Sequence, residues 1–238
     1  MKAVVLAAGK GSRMLAAGPK CCQKVLGVAM IRRVVDNLKA AGLNDIIVVV
    51  GYKADEVIAL LKDEVTYVYQ PHQTGTADAV YRAKELITDD VLITLGDMPF
   101  IKAETFKKAA TQYKNSDCDM LVGTYVNSDS DLPYGRIIRK KGNIVKIIEE
   151  KDCTVEQKNI KELNISLYVS SKEKLFDAID EIDNNNIQKE YYLTDVVEKY
   201  SLKGYKIESL QIDSRLEVQG INTIDELARV EKELVKRF

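Results

Sequence analysis

Four apolar runs of strand length, separated by amphipathic segments of helix length, constrain the fold of this chain more than any other feature of it. The runs are Ala3 to Leu6, Ile46 to Val50, Val65 to Tyr69 and Val91 to Leu95. Between them, Ile31 to Ala41, Ala54 to Leu61 and Ala77 to Leu86 repeat apolar residues at three and four spacing and keep charges on the remaining face. This alternation is what parallel strands joined by crossover helices require. The first half is therefore predicted to be an α/β core, doubly wound on a mostly parallel, Rossmann-like sheet.

Past about Met120 the rhythm changes. Leu121 to Val126, Arg136 to Lys140, Ile144 to Ile148 and Leu163 to Val169 are strand-like runs with few helices between them, so a mixed or antiparallel lobe is expected to extend the first sheet. The tail from Asp225 to Lys236 sets Leu227, Val230 and Leu234 at helical spacing and reads as a closing helix. A chain of 238 residues that is 46% hydrophobic can fill one large core and a small subsidiary lobe. With no internal repeat, low-complexity tract or long linker to divide it, 1–238 reads as one domain of two lobes, about 1–120 and about 121–238.

The formal net charge of −1 offers no global excess of cations to neutralise a phosphodiester backbone or an anionic membrane. Nucleic acid and membrane partners are accordingly not expected, while a local cationic pocket stays open. Cys21, Cys22, Cys118 and Cys153 have neither CxxC spacing nor histidine partners for zinc, and adjacent cysteines rarely pair, so all four read as reduced thiols. The apolar run after Lys2 stops at Gly9, too short for a signal segment or a membrane span, and the chain is expected to be soluble, unprocessed and cytoplasmic. Asn164-Ile165-Ser166 fits a glycosylation sequon, a chance match in a chain without a secretory signal.

The strongest local signal follows the first strand directly: Leu6-Ala7-Ala8-Gly9-Lys10-Gly11-Ser12-Arg13-Met14. Glycine in such a turn lets backbone N–H groups approach phosphate oxygens without a Cβ in the way. A Rossmann fingerprint would need glycine at Met14, and a Walker A loop would need GxxxxGK followed by Ser or Thr, so neither applies. What stands here is a loop with cations at Lys10, Arg13 and, after Pro19, Lys20. Arg13, with its planar fork, and Lys20, a compact point charge, can hold a triphosphate and stabilise charge on departing pyrophosphate. A lone GxG turn is equally well read as an ordinary strand-to-helix connection with solvated cations. Further along, Gly96-Asp97 ends a buried strand at the edge where open α/β sheets bind ligands, which makes Asp97 a candidate hard oxygen ligand for Mg²⁺.

The run GxGxRM followed by Pro-Lys resembles the sugar nucleotidyltransferase superfamily. Among its branches the chain is most similar to the uridylyltransferase domain of bacterial N-acetylglucosamine-1-phosphate uridylyltransferases, nearly end to end. The resemblance implies that 1–120 binds nucleotide, through Leu6, Ala7, Ala8, Gly9, Gly11 and Gly96, and that Arg13 and Lys20 are catalytic. Gln70-Pro71-His72-Gln73-Thr74-Gly75-Thr76-Ala77 resembles the segment that recognises the uracil edge. The Gln70 amide has donors and acceptors to read a pyrimidine, while Gly75 and Thr76 permit close backbone approach and offer a hydroxyl. Asp78 stands where the family commonly has histidine, and His72 reads as an exposed loop residue. The resemblance also supplies a second metal ligand, Asn222 in Val218-Gln219-Gly220-Ile221-Asn222, to accompany Asp97.

For the sugar, the resemblance implies contacts from Tyr134 and Gly135 in Tyr134-Gly135-Arg136-Ile137, from Glu149 and from Asn164. The family follows that asparagine with Thr-Gly, whereas Ile165 and Ser166 stand here, so a side chain occupies a usually bare position and the sugar's identity stays open. Glu190-Tyr191-Tyr192-Leu193-Thr194-Asp195 matches the family's EYYLTD segment, with Tyr192 and Thr194 placed against the sugar or its phosphate; a capped helix start with packing aromatics is the plain alternative.

Together these imply a Mg²⁺-dependent nucleotidyltransferase that makes UDP-N-acetylglucosamine, or a related nucleotide sugar, from UTP and a sugar 1-phosphate by in-line displacement of pyrophosphate. Another triphosphate or phosphorylated acceptor would keep that chemistry. A non-catalytic nucleotide-sugar-binding regulatory module is the reading from a different class, and the joint presence of Arg13, Lys20, Asp97 and Asn222 argues against it. Relatives of this type usually continue into a left-handed β-helix acetyltransferase domain that forms their trimer. No hexapeptide repeat occurs here, so acetyl transfer is not expected, no trimer is implied and the oligomeric state stays open.

Overall fold

In the computed structural model, which describes residues 1–11, 14, 18–127 and 132–235, strand β1 (Lys2–Leu6) leads through a short hairpin, β2 (Lys24–Val25) and β3 (Val28–Ala29), into helix α1 (Met30–Ala40). There follow β4 (Ile46–Val50), α2 (Ala54–Leu61), β5 (Thr66–Tyr69), α3 (Thr76–Arg82), β6 (Val91–Leu95) and α4 (Ala103–Asn115). The second half comprises β7 (Met120–Val126), β8 (Arg136–Lys140), β9 (Asn143–Ile148), α5 (Val155–Lys158) and β10 (Glu162–Ser170). It closes with α6 (Lys172–Ile179), α7 (Val196–Leu202), β11 (Ile207–Gln211) and α8 (Ile224–Val235).

One sheet has the main path β11-β7-β10-β6-β1-β4-β5, with β8 and β9 branching from β10. Its centre is parallel, with Leu6 of β1 opposite Val49 of β4 on one side and Leu95 of β6 on the other. β10 runs antiparallel to both β6 and β7, and β8 with β9 forms an antiparallel hairpin, so the mixed lobe continues the first sheet as expected. Successive strand residues point to opposite faces. Ala3, Val5 and Ala7 join the cluster that holds Ile31 and Val34 of α1, Val57 of α2 and Phe106 of α4. Val4, Leu6 and Ala8 join the one that holds Val80 of α3, Phe176 of α6 and Val197 of α7. Both faces are covered, and full burial of each large aliphatic side chain contributes about 1.5–3 kcal/mol, which is why these strands are apolar throughout rather than alternating.

The second half is richer in helix than its strand-like runs suggest. α6 and α7 stand between β10 and β11 and roof the second face with Leu175, Phe176, Val196 and Tyr200. Both are too short for an apolar period to stand out. β11 pairs parallel with β7 at the sheet edge and buries only Leu210, so it carries little of the apolar signal of an inner strand. α3 stops at Arg82, before the end of the amphipathic segment Ala77 to Leu86. α8 takes the expected tail, packing Val230, Leu227 and Leu234 against Met14, Met30 and Ile221; Lys236 lies outside the described residues. No helix among the described residues is long and apolar enough to cross a membrane.

Chain order and sheet order together locate a binding edge. The chain steps outward from β1 to β4 and β5, then returns to the other flank of β1 with β6. Such a reversal opens a crevice beyond the C-terminal ends of the strands on either side of the switch.

Candidate active site

The motif segments leave the sheet at this edge. Ala7 to Gly11 follow β1, Gln70 follows β5 and Asp97 follows β6. They line a cleft of about 450 Å³, to which the first turn contributes Leu6, Ala7, Ala8, Gly9, Lys10 and Gly11. The turn into α3 contributes Gln70, Gln73, Gly75 and Thr76, and Lys20, Leu95, Asp97 and Glu190 also line the cleft. Gly11 sits in the left-handed region at φ +62, and a Cβ there would stand 2.4 Å from Cβ of Lys20, so only glycine lets Lys20 approach this turn. Around Gly9, among the described residues other than its chain neighbours, no atom lies within 4 Å of where a Cβ would stand.

Gly75, at φ +132, has a different reason. A Cβ there would stand 2.3 Å from the carbonyl oxygen of Tyr191. The Tyr191 N–H donates to the Thr74 carbonyl at 2.8 Å, and the Ala77 N–H donates back to the Tyr191 carbonyl at 2.9 Å. The Leu193 N–H adds a bond of 2.9 Å to the Thr76 hydroxyl oxygen. Gly75 and Thr76 do line the cleft, but the missing side chain admits the backbone of Tyr191, and the hydroxyl receives Leu193. This stitching is what delivers Glu190 to the cleft, a contribution the sequence segment contained without revealing its place.

The centre of the arrangement is Lys20, on a short 3-10 turn (Lys20–Cys22) that follows Pro19. Its ammonium donates to Oδ1 of Asn222 at 2.6 Å and pairs with the carboxylate of Asp97. The two expected metal ligands, on opposite ends of the sequence, thus converge on one cation. Oδ1 of Asp97 is buried and has no hydrogen-bond partner among the described residues. A second cavity of about 230 Å³ shares Lys20, Leu95 and Asp97 with the cleft and adds Tyr134, Gly135, Glu149, Asn164, Ser166, Gly220 and Asn222. The ammonium therefore stands where the two cavities meet.

Tyr134 lines the second cavity, but its hydroxyl is engaged elsewhere. It donates to the Val218 carbonyl at 2.9 Å and accepts from the Gly220 N–H at 2.7 Å, clasping the loop that carries Asn222. Burial pushes the Tyr134 phenol up, out of reach of ordinary titration. From the far end of that loop, the Asn222 N–H donates to Oε2 of Glu226 at 2.6 Å, which ties it to the first turn of α8.

Elsewhere in this cavity, the Asn164 N–H donates to the Gly135 carbonyl at 2.8 Å, while its side-chain Nδ2 donates to the Tyr168 hydroxyl at 2.7 Å. Ser166 lies in an irregularity of the β10 pairing at φ +55, and its N–H donates to Oδ1 of Asn164 at 3.1 Å. Ile165 is buried and packs against Gly123, and both it and Ser166 line the second cavity. Oε1 of Glu149 accepts from the Thr194 hydroxyl at 3.0 Å. Burial, reinforced by Asp195, Asp152 and Glu190, raises the Glu149 carboxyl despite that bond.

Three residues assigned from the sequence line neither cavity. Gly96 is packed beneath the crevice, where a Cβ would meet Cδ1 of Ile31 at 2.8 Å. Thr194 is buried behind Glu149, and Tyr192 lines a neighbouring cavity that also touches Glu149. Arg13 lies outside the described residues, and His72 is exposed as expected.

Residues 3–190 match the family model of the MobA-like NTP transferase domain. Bifunctional protein GlmU of Thermoanaerobacter pseudethanolicus is 42% identical over 238 residues, covering 99% of this chain and 52% of that protein. Bifunctional protein GlmU of Clostridioides difficile is 38% identical over 241 residues, covering 100% of this chain and 52% of its own length. The chain thus spans about half the length of these curated relatives. A crystal structure from Bacillus anthracis, assigned as a glucose-1-phosphate thymidylyltransferase, matches with a TM-score of 0.77 at 21% identity, covering 98% of this chain and 94% of that one. That likeness bears out the α/β fold.

Proposed function

The chain belongs to the MobA-like NTP transferase domain family, and we propose that it transfers a uridylyl group from UTP to N-acetylglucosamine 1-phosphate, or a closely related sugar 1-phosphate, with Mg²⁺. The products are a nucleotide sugar and pyrophosphate. The observation that carries this reading is the Lys20 ammonium, bonded to Asn222 and paired with Asp97 at the meeting point of a larger and a smaller cavity. The larger suits a nucleotide, with Gln70 to read its base, and the smaller suits a sugar phosphate.

In the reaction, an oxygen of the sugar phosphate attacks the α-phosphorus. The new O–P bond forms as the bond from that phosphorus to the β-phosphate oxygen breaks, and the electron pair leaves with pyrophosphate. A phosphate oxygen is already ionised at neutral pH, so neither a general base nor a covalent nucleophile is required. Lys20 places positive charge where negative charge accumulates, and holding both substrates on one cation supplies orientation. Arg13, in the same glycine-rich sequence segment as Gly9 and Gly11, is the second cation of this reading. Glu149 and Asn164 hold the sugar's hydroxyl or acetamido groups.

The residues present fit Mg²⁺. No group of three or more His, Cys, Asp or Glu side chains among the described residues could hold a metal ion, but Mg²⁺ commonly takes one or two protein oxygens and completes its shell with water and phosphate. The orphaned Oδ1 of Asp97 and the amide oxygen of Asn222 would hold it. When bound, the ion supplies neutralisation of phosphate charge.

Pyrophosphate release is the test, measured with UTP, CTP and dTTP against a panel of hexose and N-acetylhexosamine 1-phosphates, with and without Mg²⁺. Release with UTP and N-acetylglucosamine 1-phosphate that stops when the ion is chelated supports the reading; no release with any pair refutes it. A different hexose 1-phosphate is the second reading, favoured by one observation: Ile165 and Ser166, the latter at a left-handed backbone position, both line the smaller cavity.

A further inference from the structure

Gln70 is 2% exposed and its backbone is fixed, its N–H donating to the Val50 carbonyl at 2.8 Å and its carbonyl accepting from Nε2 of Gln73 at 3.1 Å. A side-chain amide held this way still has two states, related by exchange of its oxygen and nitrogen, and only its neighbours decide between them. Both neighbours here are acceptors. Nε2 donates to the Gly75 carbonyl at 3.0 Å and to Oδ2 of Asp78 at 2.7 Å. Turning the amide over would set Oε1 against two oxygens, one of them charged.

Asp78 cannot supply a proton to accommodate the turned state. Its Oδ1 takes Nε of Arg82 at 3.0 Å and a terminal nitrogen of the same guanidinium at 2.7 Å. Burial alone would raise this carboxyl, but the bonds from Gln70 and Arg82 outweigh it and hold it below its ordinary range. With both protons of Nε2 spent, Oε1 is the polar atom that the Gln70 side chain has left for the cleft it lines.

We propose that Asp78 is a positioning residue that fixes the polarity of the Gln70 amide, so that the cleft offers the base a hydrogen-bond acceptor and selects the N3–H edge of uracil or thymine over cytosine. Cytosine carries a lone pair at N3, which would face Oε1 and leave both unpaired. The proposal rests on the reading of the cleft as a nucleotide site and adds what that site distinguishes.

The test is calorimetric binding of UMP, CMP and N3-methyl-UMP to the full chain and to its Asp78→Asn variant, with thermal melts alongside. Asparagine is isosteric and can present either an oxygen or an NH₂ group to Gln70, so only the Gly75 carbonyl still opposes the turned amide. The wild-type chain is expected to bind UMP about 10²-fold more tightly than either analogue, the penalty of one buried acceptor left unpaired. In Asp78→Asn the preference for UMP over CMP shrinks about tenfold, mainly through tighter CMP binding, an effect that loss of fold would not produce. An unchanged preference in a folded variant overturns the proposal. So does a wild-type chain that binds N3-methyl-UMP as tightly as UMP, a measurement that does not depend on the variant folding. A preference for UMP that shrinks in Asp78→Asn, with no pyrophosphate release by the wild-type chain, would uphold this role of Asp78 while refuting the proposed reaction.

Discussion

Replacing Tyr134 by Phe removes a single oxygen that closes two hydrogen bonds, to the Val218 carbonyl at 2.9 Å and from the Gly220 N–H at 2.7 Å. Val218 and Gly220 are both buried, so neither group gains water in exchange. An orphaned buried polar group costs about 1–3 kcal/mol, and with some relaxation of the loop the variant should lose about 2 kcal/mol. In a chain of this size that lowers Tm by about 4–8 °C. Because the clasped loop ends at Asn222, which bonds Lys20 at 2.6 Å, the same change should raise the Mg²⁺ concentration needed for half-maximal activity. Thermal melts and a Mg²⁺ titration of pyrophosphate release, run on wild type and Tyr134→Phe, measure both. If Tyr134 served chiefly as a sugar contact, KM for the sugar phosphate would rise while Tm and the Mg²⁺ response held still. That outcome would refute the reasoning.

Two other perturbations follow from the same geometry. Gly75→Ala drives a Cβ to 2.3 Å from the Tyr191 carbonyl at a φ of +132 and should cost about 2–4 kcal/mol, seen as a fall in the urea midpoint. Asp195 titrates near 6 instead of its ordinary 3.8, chiefly because burial disfavours its charge, with Glu198, Asp183 and Asp152 adding to the rise. The folded chain therefore binds this proton more tightly than the unfolded one, and stability is lost as pH rises from about 4 through about 6. Asp195→Asn makes no cap bond worth keeping, since the aspartate makes none, and should stabilise the chain at pH 7.5 by about 1 kcal/mol after allowance for solvent screening. The gain should vanish by about pH 4 when Tm is followed across pH.

The parallel core was legible because burial on both faces forces apolar runs: Ala3 to Leu6 and Ile46 to Val50 show them without interruption, and Val91 to Leu95 is broken only by Thr94. β11 was not, because an edge strand that buries one residue need not differ in composition from a loop. At the site, the meeting of Asp97 with Asn222 followed from the resemblance alone, since no local pattern links residues so far apart. The reasons for single residues were the least legible. Gly75 reads as a glycine kept bare for a ligand, yet its space is taken by Tyr191, and Gly96 is kept bare by Ile31. Tyr134 reads as a sugar contact, yet its hydroxyl holds a loop from another part of the chain. Asp78 stands out in the sequence as a departure, and its pairing with Gln70 and Arg82 becomes visible only in three dimensions.

A double-mutant cycle on Asp97 and Asn222 bears most directly on the claim that both side chains serve one centre at Lys20. Pyrophosphate release at saturating substrates would be compared for Asp97→Ala, Asn222→Ala and the pair. Each single change is expected to cost on the order of 10²-fold or more, with the pair little worse than the more damaging single, because groups that act as a unit are lost together. Losses that multiply would mean that the two residues act independently, and would contradict the account.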